Sequence, residues 1–235
     1  MTLQELIDSS RRIVFFGGAG VSTESGIPDF RSADGLYNQK YKYPPETIIS
    51  HSFYLAHTEE FWRFYREKMI FPDAKPNAAH YKLAELERAG RLSCVITQNI
   101  DGLHFAAGSK NVIELHGSVH RNYCEKCRAL YDLSAVMNGT GVPRCKCGGR
   151  IKPDVVLYEE PLDNAALSRA EEEIAAADTL IIGGTSLAVY PAAGLVRGFA
   201  GRTAVINKSP TPADAFADVL VSDSIGRALG EISVR

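Results

Sequence analysis

Short apolar runs alternate with longer amphipathic stretches along this chain. Residues 12–16, 92–97, 112–115, 155–158, 179–182, 203–206 and 218–221 are each bounded by turn residues and rich in β-branched or aromatic side chains. Runs of that kind read as buried strands. Between them, apolar residues recur at helical spacing over 58–70, 78–89, 165–177 and 191–200, and a further helix is expected to begin at Ser224. Thr2-Leu3-Gln4-Glu5 is a capping box, so a short helix leads into the first strand. Asn77 and Gly90 bracket the helix over 78–89 as cap and stop. Strand alternating with helix predicts an α/β protein built on a doubly wound parallel sheet.

Two stretches depart from that rhythm. Residues 32–45 are polar, aromatic and punctuated by Gly and Pro, which predicts a long loop beside a ligand. The helix over 58–70 carries Phe61, Trp62, Phe64, Tyr65 and Met69, an aromatic set expected to pack over a core.

Composition changes this picture little. The 235 residues allow one large domain, or a large domain with a small insert. A net charge of −2 gives no general attraction to nucleic acid or to an anionic membrane. No apolar run approaches the roughly 20 residues that span a bilayer. The first residues lack the basic-then-apolar order of a signal peptide, so a cytoplasmic location is expected.

The first strand empties into Gly17-Gly18-Ala19-Gly20-Val21-Ser22-Thr23-Glu24-Ser25-Gly26-Ile27-Pro28-Asp29-Phe30-Arg31. Glycines after a strand let backbone N–H groups approach a phosphate, since no Cβ holds the ligand away. A simple tight turn explains the glycines equally well. The dinucleotide fingerprint is only partly met: Gly18 and Gly20 fit, but Thr23 replaces the third glycine. Lys40 and Tyr41 stand where an acidic ribose ligand is expected.

Of five cysteines, four lie close together as Cys124-x-x-Cys127 and Cys145-x-Cys147, with 17 residues between the pairs. Two short pairs at this spacing form a tetrathiolate zinc site, closed by four protein ligands and therefore structural. A redox pair is the alternative. Cys94 lies in a strand and reads as a small buried residue. Polar residues follow other strand ends: Gln98-Asn99-Ile100-Asp101, His116-Gly117, Gly183-Gly184-Thr185-Ser186 and Asn207. Ligands of open α/β sheets bind beyond such ends.

In order, Gly18-Ala19-Gly20-Val21-Ser22, Gly26 to Arg31, Thr97 to Asp101, Ile113 to Ser118, the cysteine pairs, Gly184-Thr185-Ser186-Leu187 and Val205-Ile206-Asn207 resemble the sirtuins, NAD-dependent protein deacylases, of bacterial type. The resemblance covers nearly the whole chain. It implies a Rossmann-type doubly wound parallel sheet with a smaller helical and zinc-ribbon domain inserted. The expected NAD domain comprises 1–33, 76–118 and 155–235, and the small domain 34–75 and 119–154.

By the same resemblance, Gly18, Ala19, Gly20, Thr23, Phe30, Arg31, Gln98, Gly184, Thr185, Ser186 and Asn207 contact NAD, with Asp223 and Ile225 near its adenine end. Asn99, Ile100 and Asp101 line the nicotinamide pocket, Asn99 with a catalytic part. His116 is the general base. Phe30 shields the reactive ribose carbon, and the acetyl-lysine oxygen attacks that carbon. Val155, Val156, Leu157 and Tyr158 form an apolar channel for acyl-lysine, which admits a neutral amide but not an ammonium. Val189 and Tyr158 belong to edges between which a peptide adds as a strand. The family pattern near Tyr158 is usually Phe-Gly-Glu; here it is Tyr158-Glu159-Glu160.

The implied activity is transfer of an acetyl group from protein lysine to ADP-ribose, with NAD as co-substrate and one structural Zn²⁺ per chain. Acetylated protein lysines are the implied substrates, with no direct nucleic-acid or membrane partner. Members that prefer acidic acyl groups carry Tyr-x-x-Arg on the aromatic helix; here Lys68 follows Tyr65, and lysine lacks the bidentate fork that suits a carboxylate. The alternatives are protein ADP-ribosyl transfer, preference for longer or acidic acyl groups, or a non-catalytic zinc-ribbon interaction module. A dehydrogenase is disfavoured by the missing acidic ribose ligand.

Overall fold

The computed structural model describes residues 1–32 and 35–234. The expected domain junction at 33/34 therefore lies outside the described residues. Helix α1 (Leu3–Ser9) starts at its capping box and leads into β1 (Ile13–Gly17), five residues buried without exception. Three helices follow, α2 (Pro45–Ile48), α3 (His51–Ala56) and α4 (Thr58–Lys68). Next come α5 (Ala78–Arg88), β2 (Leu92–Thr97), α6 (Leu103–Ala106) and β3 (Val112–Glu114). The cysteine segment is built from β4 (Gly117–Cys124), β5 (Leu130–Tyr131), α7 (Leu133–Met137) and β6 (Ile151–Val155). The chain ends with α8 (Asn164–Ala175), β7 (Thr179–Gly183), β8 (Arg202–Ile206), β9 (Val219–Val221) and α9 (Ile225–Gly230).

Six strands form one sheet in the order β3-β2-β1-β7-β8-β9, every neighbouring pair parallel. The chain reverses its direction of travel across the sheet between β1 and β7. Loops leaving those two strands diverge there, which opens a crevice at their carboxyl ends. Apolar side chains fill both faces, and for this reason the strands read as unbroken apolar runs. Leu6, Ile7, Leu83 and Leu86 cover one face; Ala170, Ile174 and Val196 cover the other.

A second sheet, β5-β4-β6, is antiparallel. A separate apolar cluster forms under it from Tyr54, Phe61, Trp62, Phe64, Tyr65, Val136 and Ile151. The aromatic helix thus packs inward, with Phe61 and Trp62 edge to face at 5.8 Å.

Several expectations need correction. The helix over 191–200 reduces to a short 3₁₀ turn at Ala192–Gly194 followed by further turns. Glycines interrupt it, Gly198 with φ of 76°. The strand over 155–158 is displaced: β6 ends at Val155. Beyond it Glu160 N–H bonds the Leu157 carbonyl, and Glu159 takes φ of 74°, which turns the chain. Strand β4 escapes the sequence pattern because His120, Arg121 and Asn122 break any apolar run. Helix α3 escapes it too, although Ser50 caps it by accepting from Phe53 N–H. No helix among the described residues is long and apolar enough to cross a membrane.

Candidate active site and metal centre

The loops after β1 and β7 interlock at the crevice. Gly20 N–H donates to the Gly184 carbonyl at 2.8 Å, and a Cβ at Gly20 would lie 2.8 Å from Gly184 Cα. A Cβ at Gly18 would lie 2.9 Å from Thr185 Cβ. Neither glycine admits a side chain, so bare backbone floors the crevice. Glu24 braces the next turn by accepting from Gly226 N–H at 2.6 Å, which ties the glycine loop to the start of α9.

Above this floor opens a cavity of about 1270 Å³. Every residue assigned from the resemblance to NAD or to the acyl substrate lines it, from Gly18 through Asp101 and His116 to Asp223 and Ile225. Sequence positions more than 200 apart thus converge on one space because parallel strands deliver their carboxyl ends to one edge.

At the strand ends the polar groups are already organised. Gln98 Nε2 donates to Thr185 Oγ1 at 3.0 Å, linking the ends of β2 and β7. Ser22 Oγ donates to Asp101 Oδ2 at 2.7 Å and accepts from Asn99 Nδ2 at 3.0 Å. The second Asp101 oxygen accepts from Leu103 N–H at 2.9 Å, capping α6. Ser22, the last residue of Gly18-Ala19-Gly20-Val21-Ser22, joins the site although a lone serine carries no chemical signal in the sequence.

His116 follows β3 and is held from behind. Its Nδ1 lies 2.9 Å from the Gln98 carbonyl oxygen, which can only accept. Nδ1 therefore carries the proton, and the neutral ring keeps Nε2 as its acceptor. Burial lowers the pKa of His116, against the opposing pull of the Gln98 carbonyl. The ring stays neutral and basic near pH 7.

The far wall is fixed by a buried lysine. Lys152, only 5% exposed, donates to the Pro153 and Val155 carbonyls and to Glu160 Oε2 at 3.0 Å. Glu160 also accepts from Leu157 N–H at 2.9 Å and faces His51 Nδ1 at 2.7 Å. Burial opposes ionisation of Glu160, but the Leu157 N–H, Lys152 and His51 outweigh it and hold the carboxyl below the usual range. Tyr158 pairs its backbone with Ile49 and His51, so at this residue the edge is not free for a peptide strand. Tyr65 and Lys68 of α4 reach the same cavity, and the Tyr65 hydroxyl is buried without a partner among the described residues.

Outside the cavity, the ligand atoms of Cys124, Cys127, Cys145 and Cys147 lie within 4.8 Å of one another. The Cys124–Cys147 and Cys127–Cys145 sulfurs are 3.5 and 3.6 Å apart. A tetrahedral zinc with four bonds of about 2.3 Å needs sulfurs about 3.8 Å apart, so the donor set fits the ion. Cys127 and Cys147 N–H groups point to the first sulfur of each knuckle at 3.5 Å. A Cβ at Gly149 would lie 2.6 Å from Cys124 Sγ, so the turn must be glycine. Tyr131 Oη donates to Cys145 Sγ at 3.0 Å, an outer hydrogen bond the spacing did not reveal. Cys94 is buried in β2 as expected, and burial pushes its thiol up to about 12.

A parallel sheet with a glycine floor at its reversal point defines a dinucleotide-binding α/β protein. The Sir2 family model matches residues 18–191. The chain belongs to the Sir2 family. It is 60% identical over 232 residues to an NAD-dependent protein deacetylase of Clostridium acetobutylicum, covering 97% of this chain and 95% of that protein. A crystal structure of a Sir2 homolog–NAD complex superposes with a TM-score of 0.89 at 40% identity, over 97% of this chain and 90% of that one. A complex of Sir2 with a p53 peptide and NAD⁺ superposes with a TM-score of 0.85 at 39% identity, covering 97% and 96%.

Proposed function

We propose that this chain is an NAD-dependent protein lysine deacetylase that transfers the acetyl group to ADP-ribose and releases nicotinamide. The observation that carries this reading is a single cavity holding a tautomer-fixed histidine, an amide–hydroxyl–carboxylate cluster and an apolar wall. The deacetylase relatives and the NAD and peptide complexes of neighbouring structures support it.

NAD supplies an activated ribose carbon with a neutral leaving group. The chain's own residues do the rest. Backbone at Gly18, Ala19 and Gly20 and the polar groups of Thr185, Ser186 and Asn207 hold the dinucleotide. Asn99 and Asp101, linked through Ser22, offer amide and carboxylate groups to the carboxamide. Phe30 shields the reacting carbon from water. His116 Nε2 accepts a proton from a ribose hydroxyl, a task suited to a neutral imidazole. Val155, Val156 and Leu157 exclude a charged ammonium through the cost of burying it unpaired, several kcal/mol. Val189 and the Tyr158 side chain are the proposed peptide contacts.

Acetyl is the proposed acyl group, because Lys68 cannot form the two-pronged contact that an acidic acyl chain rewards. The two-domain division, 1–33, 76–118 and 155–235 against 34–75 and 119–154, is supported by the two sheets and the separate aromatic core. Zinc is proposed to hold the insert, which is too small for a large core of its own. Cytoplasmic residence is proposed because clustered cysteines held as metal ligands rather than disulfides suit a reducing compartment.

The test is incubation with NAD and an acetylated peptide. Free nicotinamide together with acetyl-ADP-ribose is the expected result. A mass gain of ADP-ribose on protein, without deacetylation, identifies transfer instead. No nicotinamide release overturns the enzyme reading.

A further inference from the structure

The two edges proposed to hold the peptide differ in charge. On the Tyr158 edge stands Glu159, exposed and turned by φ of 74°. Both its oxygens are taken by Ser52, one by the N–H at 2.9 Å and the other by the hydroxyl at 3.0 Å. A substrate carboxylate there meets like charge. The Val189 edge runs on into Tyr190, which lines the cavity yet is 55% exposed. The Tyr190 ring packs over Gly194, where a Cβ would lie 3.9 Å from it. Arg197 N–H donates to the Gly194 carbonyl at 3.1 Å, and this turn brings the guanidinium 5.2 Å from the centre of the Tyr190 ring. Arg197 is exposed and has no carboxylate partner among the described residues. A guanidinium laid on an aromatic face keeps the N–H fork at its edge free, and that fork matches a carboxylate.

We propose that Arg197 is a specificity-determining residue: it selects acetylated peptides with an aspartate or glutamate on one flank of the modified lysine, and Tyr190 is its platform. This names the substrate class of the proposed deacetylase and rests on that reading. Tyr190 closes the Val189 edge, and the chain then turns away through Ala192–Gly194. Arg197 therefore stands beyond one end of that edge and reads a single flank of the peptide. Contact with the ring restricts the guanidinium before substrate arrives, so less side-chain freedom is lost on binding. An exposed charge pair of this kind strengthens binding about threefold, and a lysine in the same place loses about as much, so the two peptides differ about tenfold.

The experiment compares acetylated peptides that differ at one position, Asp, Ala or Lys, placed in turn on each side of the modified lysine. The readout is kcat/KM from nicotinamide release. On one flank Asp is expected to exceed Lys about tenfold at low salt, and the preference should fade at 1 M salt, where exposed charges are screened. Arg197→Glu should invert the preference, and Tyr190→Leu should weaken it although the charge remains. A purely structural role for Arg197 would slow all the peptides alike and leave their ratio unchanged. Equal rates for the Asp and Lys peptides, the same preference on both flanks, or a preference that survives Arg197→Glu or 1 M salt overturns the inference. Release with the Ala peptide is scored separately. Release without any preference overturns the inference alone, whereas absence of release from every peptide overturns the activity reading and the inference together.

Discussion

His116 turns Nδ1 to the Gln98 carbonyl at 2.9 Å, and that bond decides which ring nitrogen faces the cavity. Burial lowers the His116 pKa, so the base stays neutral below the ordinary value of about 6.5. The acid limb of kcat/KM for acetylated peptide should therefore be centred below pH 6.5. His116→Ala should cost about 10²–10⁴-fold in kcat. An acid limb centred at or above pH 6.5, or full activity in the alanine variant, contradicts the assignment.

Two other histidines set the acid stability. His80 of α5 and His104 of α6 lie with ring centroids 4.7 Å apart and planes tilted by 56°, both buried. His80 Nδ1 accepts from Asn77 N–H, but its Nε2 and both nitrogens of His104 find no partner among the described residues. Burial lowers His80 to about 4, against the opposing charge of Asp101. Burial and the neighbouring His80 lower His104 to about 3. Well above pH 6.5 neither histidine is protonated in either state, and stability does not change with pH on their account. Below it the unfolded chain binds protons that the folded chain refuses, so stability falls until the folded values are reached. Each histidine should cost about 2 kcal/mol between pH 6.5 and pH 5. Urea midpoints at pH 7 and pH 5 measure this, and His104→Leu should reduce the difference by about half. An equal pH dependence in that variant refutes the account.

The tetrathiolate predicts a metal-dependent insert. Metal analysis should find about one zinc per chain, and chelation should unfold residues 119–154 and lower nicotinamide release. Tyr131→Phe removes the hydrogen bond to Cys145 and should speed zinc loss to a chelator about tenfold. Retention of native circular dichroism after complete zinc removal would rule out the structural role.

Acyl choice should move with one side chain. Lys68 and Tyr65 both reach the cavity, and the Tyr65 hydroxyl is free to donate. Lys68→Arg supplies the missing fork and should raise the ratio of desuccinylation to deacetylation about tenfold. Adding Tyr65→Phe should remove most of that gain. Competing peptide substrates measured by mass spectrometry give the ratio directly, and an unchanged ratio in Lys68→Arg excludes this route.

Much of the fold was legible because buried parallel strands leave unbroken apolar runs. Phe15, Ile96, Ile181 and Val205 lie in such runs, and each sits at the centre of the sheet. The cleft was legible through chemistry: Asn99, Asp101, His116 and the cysteines are polar or reactive residues at strand ends and turns. What escaped depends on partners distant in sequence. The position of residues 155–160 is set by Lys152 and His51, and no local pattern announces that. Ser22 and Tyr131 matter through one hydroxyl each, which composition does not distinguish from any other. The helix expected over 191–200 does not form because Gly194 and Gly198 interrupt its apolar spacing.

Gly20 and Gly184 meet with no room for a methyl group between them. They come from opposite halves of the sheet, yet sterically neither can change alone. A side chain gained at either position demands backbone retreat at the other, and that retreat would lift the floor under the dinucleotide. Drift can reshape the acyl wall one residue at a time. It has no such gradual path here, so descendants of this chain should keep or lose the two glycines together.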